Sequence, residues 1–167
     1  HAFECSPLLD GCTIVQNAAT STWGKGGGLY FRDDNFVASP AVIHCTIAEN
    51  AATIGGGIHA FGSSPVLRNS QLRKNTADEG GGIGVYNQSS PELTNCEITG
   101  NSAGGDGGGM YCGDGCYAPI TNCTFSGNHA NFGGAILCMI GSAPEVKSSI
   151  LWGDTADSDG KEIFLAA

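Results

Sequence analysis

Arg32, followed directly by Asp33 and Asp34, is the group of side chains in this chain best suited to catalysis. Paired carboxylates can catalyse the hydrolysis of a glycosidic bond. A polysaccharide lyase needs a base, usually Lys or Arg, beside its metal site, and Arg32 could supply it. The sequence supplies no third polar partner and no recognisable groove beside them. We therefore assign no catalytic residue and keep a polysaccharide lyase or a glycoside hydrolase as the alternative function.

Three other acidic residues, Asp78, Glu79 and Asp106, lie just before glycine triplets. Carboxylate oxygens together with backbone carbonyls are the ligands that Ca²⁺ prefers. These residues are candidate Ca²⁺ ligands, and the alternative is that they are solvated turn residues. No other cofactor is predicted.

Five aromatic residues are predicted on the outward side of a strand that follows the glycine triplets. Strand residues alternate between two faces, so these rings are expected to point to solvent. Rows of exposed rings form a platform suited to sugar rings or to a protein partner. The alternatives are stacking of the rings on one another along the sheet, or cover by other parts of the protein. The candidate platform residues are Tyr30, His59, Phe61, Tyr86 and Tyr111.

The chain contains eight cysteines, and six of them occupy equal positions in successive repeats. Most are expected to be free, buried thiols that behave as small hydrophobic side chains. Cys112 and Cys116 are the best disulfide candidates because they would close the longer loop in YCGDGCY. No CxxC pair and no Cys–His cluster suggests zinc. The pairs at equal positions are Cys12 with Cys45, Cys96 with Cys123, and Cys112 with Cys138.

All these residues are positioned by a repeat that recurs six times. Its prolines are spaced by 33, 25, 26, 28 and 25 residues. A period near 26 indicates stacked structural units rather than a conventional globular core. The prolines are Pro7, Pro40, Pro65, Pro91, Pro119 and Pro144.

Apolar residues recur in columns when the repeats are aligned, as Leu93, Ile98 and Ile83 illustrate. Two or three strands of about five residues in each repeat cannot stand alone, but stacked copies bury one continuous core. We predict an all-β, right-handed parallel β-helix of about six coils, with residues 1–167 as one domain. The domain is expected to be a segment of a longer protein.

A column of asparagines is predicted to stabilise the turns, because stacked asparagines can hydrogen-bond to one another and tolerate left-handed backbone. The glycine triplets allow close approach of backbones. A phosphate-binding loop would need Lys followed by Ser or Thr after the glycines, and none is present. The column consists of Asn17, Asn50, Asn75, Asn101 and Asn128, with Asp154 in the last repeat.

The segments F125-S-G-N128 and G133-G-A-I136 match both short motifs of the chlamydial polymorphic membrane proteins. Looser copies such as I47-A-E-N50 and G55-G-G-I58 make the whole chain resemble the broader group of right-handed parallel β-helix repeat proteins. That resemblance implies export and display, often with an adhesive role. The Asp and Arg arrangements of pectate lyases are absent.

A net charge of −9 argues against nucleic acid and against direct binding of polyanionic glycans. No apolar run reaches the ~20 residues of a membrane span. We expect a non-catalytic extracellular or cell-surface module that is adhesive or structural. Its expected partners are a glycan, a cell-surface protein, or further copies of itself stacked end to end into filaments.

Overall fold

The computed structural model describes residues 2, 3 and 6–166, whose regular elements are short β-strands joined by turns. Over these residues there is no helix of the length and hydropathy needed to cross a membrane. The strands form four sheets, named A to D here, and each coil of the chain passes through sheets B, C, D and A in turn.

The four sheets are all parallel and contain six or seven strands each. Sheet A contains β1 (Ala2–Phe3), β5 (Leu29–Arg32), β9 (Ile58–Phe61), β13 (Ile83–Tyr86), β17 (Met110–Cys112), β21 (Ile136–Cys138) and β25 (Ile163–Leu165). Sheet B contains β2 (Leu8–Asp10), β6 (Ala41–Ile43), β10 (Val66–Arg68), β14 (Glu92–Thr94), β18 (Pro119–Thr121) and β22 (Glu145–Lys147). Sheet C contains β3 (Thr13–Val15), β7 (Thr46–Ala48), β11 (Gln71–Arg73), β15 (Glu97–Thr99), β19 (Thr124–Ser126) and β23 (Ile150–Trp152). Sheet D contains β4 (Ala18–Ala19), β8 (Ala51–Ala52), β12 (Thr76–Glu79), β16 (Ser102–Asp106), β20 (His129–Phe132) and β24 (Thr155–Asp159).

Each strand pairs with its own copy one coil away, as Leu67 pairs with Leu93 in sheet B. The predicted parallel β-helix is therefore confirmed. The prediction of two or three strands per repeat was wrong, because each full coil has four. The segment between the asparagine and the glycine triplet, which we expected to be a turn, forms sheet D.

The inward columns form the core as predicted. Leu93, Ile98, Ile83 and Phe125 have no solvent-accessible surface. Full burial of such a side chain stabilises the fold by roughly 1.5–3 kcal/mol. Stacking apolar residues in successive coils extends this burial through the middle coils, while Leu9 and Val146 in the end coils are partly buried.

The asparagines form the predicted hydrogen-bonded ladder. In each step the side-chain oxygen accepts from both the backbone N–H and the carboxamide of the asparagine in the preceding coil, at 3.0 Å between Asn50 and Asn75. The expected left-handed backbone lies one residue earlier than predicted, for example at Glu49 with φ 57° and Lys74 with φ 54°. The asparagine therefore serves the ladder, while its predecessor makes the turn.

The cysteine column has a similar structural role. The backbone N–H of Cys45 donates to Ser70 Oγ at 3.1 Å, and that of Cys123 donates to Ser149 Oγ at 3.0 Å. The N–H of Cys96 reaches Cys123 Sγ at 3.5 Å. The column thus needs a small side chain with an acceptor atom, and both cysteine and serine supply one.

Candidate functional site

The aromatic residues on the outer face of sheet A form one continuous row across four coils. The ring centroids lie 5.1 Å apart for Tyr30 and His59, 5.3 Å for His59 and Tyr86, and 5.0 Å for Tyr86 and Tyr111. Phe61 lies beside these four rings, with its ring centroid 6.4 Å from that of His59. We call these five residues the aromatic row. Such spacings are typical of rings that stabilise one another.

Two glycines make room for the row. Gly84 is in register between His59 and Tyr111, and the Tyr86 ring packs between those two side chains. At Gly113 a Cβ atom would lie 2.7 Å from Tyr111 Cε1. A larger residue at either position would therefore disturb the stacking.

The row is less exposed than the sequence predicts. His59 is 1% exposed and Tyr111 is 7% exposed, so the prediction of an open platform was wrong for these two residues. The physical reason is that the glycine turn folds back over the outer face of the sheet. A Cβ at Gly84 would lie 3.1 Å from Gly55 N and 3.2 Å from Ile54 Cγ2.

Three members of the row, Tyr30, Phe61 and Tyr86, remain half-buried and keep part of each ring accessible. Positive charge flanks Phe61, with Lys25 Nζ 5.3 Å and Arg32 Cζ 5.8 Å from the ring centroid. These three rings and their two cations form an open strip, called here the aromatic strip. Sequence reasoning did not place Lys25 at this face, although Lys25 occupies the same position before its glycines as Glu79 does.

His59 is not suited to acid–base chemistry. Burial, together with the charge of Lys25, lowers the pKa of His59 to about 3. Neither ring nitrogen has a partner with hydrogen-bond geometry among the described residues. The imidazole is therefore neutral near pH 7 and acts as one ring of the stack.

Two of the predicted Ca²⁺ ligands meet at the edge of the strip. Glu79 and Asp106 are in register on neighbouring strands of sheet D, and the Tyr86 hydroxyl donates a hydrogen bond to Glu79 Oε2. Burial raises the pKa of Asp106, and the charge of Glu79 raises it further. A carboxyl pair whose members differ in environment is thus present.

Asp78 is exposed and does not complete a ligand set with Glu79 and Asp106. Over residues 2–3 and 6–166, no group of three or more His, Cys, Asp and Glu side chains could hold a metal ion. Ca²⁺ binding stays an untested prediction.

The group that suggested a lyase is already occupied by internal bonds. Arg32 donates to both carboxylate oxygens of Asp34, at 3.0 and 2.9 Å. Asp33 is fully buried and accepts the backbone N–H groups of Asn35 at 2.8 Å and Val37 at 2.6 Å, and that of Ala38. These hydrogen bonds, above all the one from Ala38, lower the pKa of Asp33. Asp33 therefore shapes the loop after β5.

The structure records Cys112 and Cys116 as free cysteines, so it does not contain the disulfide we predicted. Cys112 instead lies in register with Cys138 on the neighbouring strand of sheet A. The thiol of Cys116 donates to the Gly113 carbonyl. The reason is that Cys112 points inward from β17, whereas Cys116 closes the following loop through its own backbone contacts.

The sequence model of the protein family described as the right-handed β-helix region matches residues 2–151 of this chain. The chain belongs to the right-handed β-helix family. The match fixes the hand of the solenoid, as predicted. No curated protein and no solved structure matches the chain, and the finer resemblance to chlamydial polymorphic membrane proteins stays a prediction.

Proposed function

We propose that this β-helix domain is a non-catalytic extracellular or cell-surface module that binds glycans through the aromatic strip. The observation that carries the proposal is the alignment of three accessible rings, Tyr30, Phe61 and Tyr86, on one face of the solenoid. Sugar rings pack on aromatic faces, and neighbouring charged groups hydrogen-bond their hydroxyls.

The charges around the strip favour a neutral glycan. The chain carries a net charge of −9, which repels a polyanionic polysaccharide at long range. Around the strip, Lys25 offers a donor, while Glu79 and Asp106 offer acceptors. Both kinds of group suit sugar hydroxyls, which donate and accept.

A glycan panel probed with the 167-residue chain tests this function. We expect binding to one or more neutral glycans, weakened at least tenfold by Tyr30→Ala and by Phe61→Ala. Tyr117→Ala is the matched control, since Tyr117 is a 44% exposed aromatic residue in the loop before β18, away from the aromatic strip. An intact thermal unfolding transition shows that each variant is folded. No binding by the wild type, or equal loss in the control, would refute the proposal.

A glycoside hydrolase is the second candidate, favoured only by the Glu79–Asp106 pair. A raised pKa on one of two neighbouring carboxyl groups is the arrangement of an acid catalyst with a second carboxylate. Release of reducing ends from the bound glycan, abolished in Glu79→Gln and Asp106→Asn, would establish the enzyme. We expect no release, with or without added Ca²⁺.

A further inference from the structure

The coil that runs from β22 to β25 departs from the repeat at two positions that face each other. Asp154 occupies the place of the ladder asparagine. Glu162 occupies the column of the third residue of the glycine triplet, one residue before the first residue of each sheet A strand. The other members of that column are Gly28, Gly57, Gly82, Gly109 and Ala135.

A side chain in this glycine column is directed at the position of the ladder residue one coil further on. A Cβ at Gly57 would lie 3.0 Å from Asn75 Nδ2, and one at Gly82 would lie 3.2 Å from Asn101 Nδ2. Glu162 has a long side chain where the other coils have glycine or alanine, so its carboxyl group occupies the space beside Asp154 on the side away from Asn128, and it acts on the charge of Asp154. Two acidic residues eight positions apart thus meet beneath the last turn.

Asp154 performs only half of the ladder's chemistry. Its Oδ1 accepts from both the backbone N–H and the carboxamide of Asn128, at 2.7 Å each. A ladder asparagine also donates from Nδ2, as Asn128 does to the Ile98 carbonyl at 2.9 Å. An ionised aspartate has no such donor.

The two carboxyl groups leave buried oxygens without a donor. Asp154 is 3% exposed, and its Oδ2 and the Oε2 of Glu162 have no hydrogen-bond partner among the described atoms. Two ionised carboxylates in contact, out of water, repel each other strongly. A proton on one of them removes the repulsion and supplies the missing donor.

We propose that Asp154 and Glu162 bind one proton between them and that this proton joins the two turns on either side of β24 within the last coil. The ladder neighbour Asn128 is neutral. His129 points outward from β20, where it contacts Thr155 at 3.0 Å and Asp157 at 3.5 Å. Lys161, next to Glu162, is exposed. Of the charged groups in residues 2–3 and 6–166, Glu162 is the one that acts on Asp154 directly.

Electrostatics supports the shared proton. The pKa of Asp154 is raised to about 6, mainly by burial and in part by Glu162, while the hydrogen bonds from Asn128 lower it. The unfolded value is about 3.8, so between these values the folded chain binds more protons than the unfolded chain. The stabilisation is full below about pH 4 and is lost as the pH rises through about 6.

Thermal unfolding of the 167-residue chain between about pH 4 and 8 tests the proposal. Asp154→Asn restores the usual carboxamide, so we expect it to raise Tm at pH 7 relative to wild type, with the difference vanishing near pH 4. Glu162→Gln is expected to shift Tm in the same direction. Asp114→Asn replaces an exposed acid in another coil and should change neither Tm at pH 7 nor the pH dependence of Tm. A pH-independent difference, or a lower Tm for Asp154→Asn at pH 7, overturns the proposal.

Carbon-13 NMR titration of the Asp154 carboxyl gives a readout that does not need Asp154→Asn to fold. We expect a pKa well above the usual aspartate range in wild type and a value closer to that range in Glu162→Gln. Titration in the ordinary range contradicts a shared proton. A Tm at pH 7 that rises with CaCl₂ and falls with a chelator, at fixed ionic strength, would indicate a bound cation and also overturn the proposal.

Discussion

Asn75 and Asn101 occupy the same position in successive coils, and a single oxygen joins them. Asn101 Oδ1 accepts both the backbone N–H and the carboxamide N–H of Asn75, each at 3.0 Å. Asn101 in turn donates to the Leu72 carbonyl and to Asn128 Oδ1, also at 3.0 Å each. The four groups that bond to Asn101 belong to Asn75, Leu72 and Asn128, and all of them are buried. The hydrogen bonds of each ladder residue therefore depend on the residues in the coils before and after it.

Asn101→Ala is expected to lower the free energy of unfolding by at least about 3 kcal/mol, because it leaves several buried polar groups without partners. Urea denaturation measures the change. The matched control is Asn95→Gly, since exposed Asn95 makes one side-chain bond, to Asn69 at 3.2 Å, and glycine accepts its φ of 54°. Equal losses in both variants would show that the buried ladder contributes nothing special.

Gly82→Ala is expected to cost about 2 kcal/mol or more, because the added Cβ would lie 2.5 Å from the Gly109 carbonyl oxygen. Gly127→Ala, at φ +63° with nothing within 4 Å, should cost only the ~1 kcal/mol of a left-handed alanine. Chemical denaturation compares the two. If Gly127→Ala is the more damaging, close backbone approach does not explain the triplets.

His59→Phe is expected to make the protein more resistant to acid. The pKa of His59 is lowered by burial to about 3 from an unfolded value near 6.5, so the unfolded chain binds more protons between these values. Stability linked to His59 is present above about pH 6.5 and is lost as the pH falls towards 3. The gain for His59→Phe, relative to pH 7, should reach about 2 kcal/mol at pH 5.

Circular dichroism melts of His59→Phe and wild type at several pH values test this, with the exposed His44→Phe as control. A pH-independent difference between wild type and His59→Phe would mean that His59 is not held neutral by the fold. The Asp154–Glu162 pair has the opposite pH dependence, but it is present in all these variants and cancels in the comparison.

The last coil of the chain is expected to promote self-association. The strands β22 to β25 pair with a neighbour on one side only, and Trp152 and Leu165 are 73% and 71% exposed. An apolar cavity of about 450 Å³ beside Leu165 and Val146 offers a place for an apolar side chain. Unpaired strand edges and exposed apolar groups favour pairing with another copy.

Light scattering of the 167-residue chain should therefore increase with salt, because screening weakens the repulsion due to the charge of −9. Leu165→Lys, in β25 of the last coil, should reduce the scattering. Leu8→Lys changes β2 at the other end of the solenoid. It should reduce the scattering if copies stack end to end and should not if only the last coils associate with each other. A strict monomer at all salt concentrations would contradict this prediction.

The sequence alone determined the architecture of this protein. Apolar residues such as Leu93 and Ile98 recur in columns with a period near 26, and short strands with one apolar face bury a continuous core only when many copies are stacked. The asparagine ladder also followed, because a polar column inside such a core must satisfy itself. Local alternation and repetition carry this information, and both are visible in the chain.

Tertiary structure decided the burial and pairing of the chemically interesting side chains. Alternation puts His59 and Tyr111 on the outer face, but only the path of the glycine turn covers them. The contact between Asp154 and Glu162 likewise depends on how a whole coil closes around the ladder. Single-residue patterns specify which side of a strand a side chain lies on, whereas its neighbours across a turn depend on backbone geometry summed over many residues.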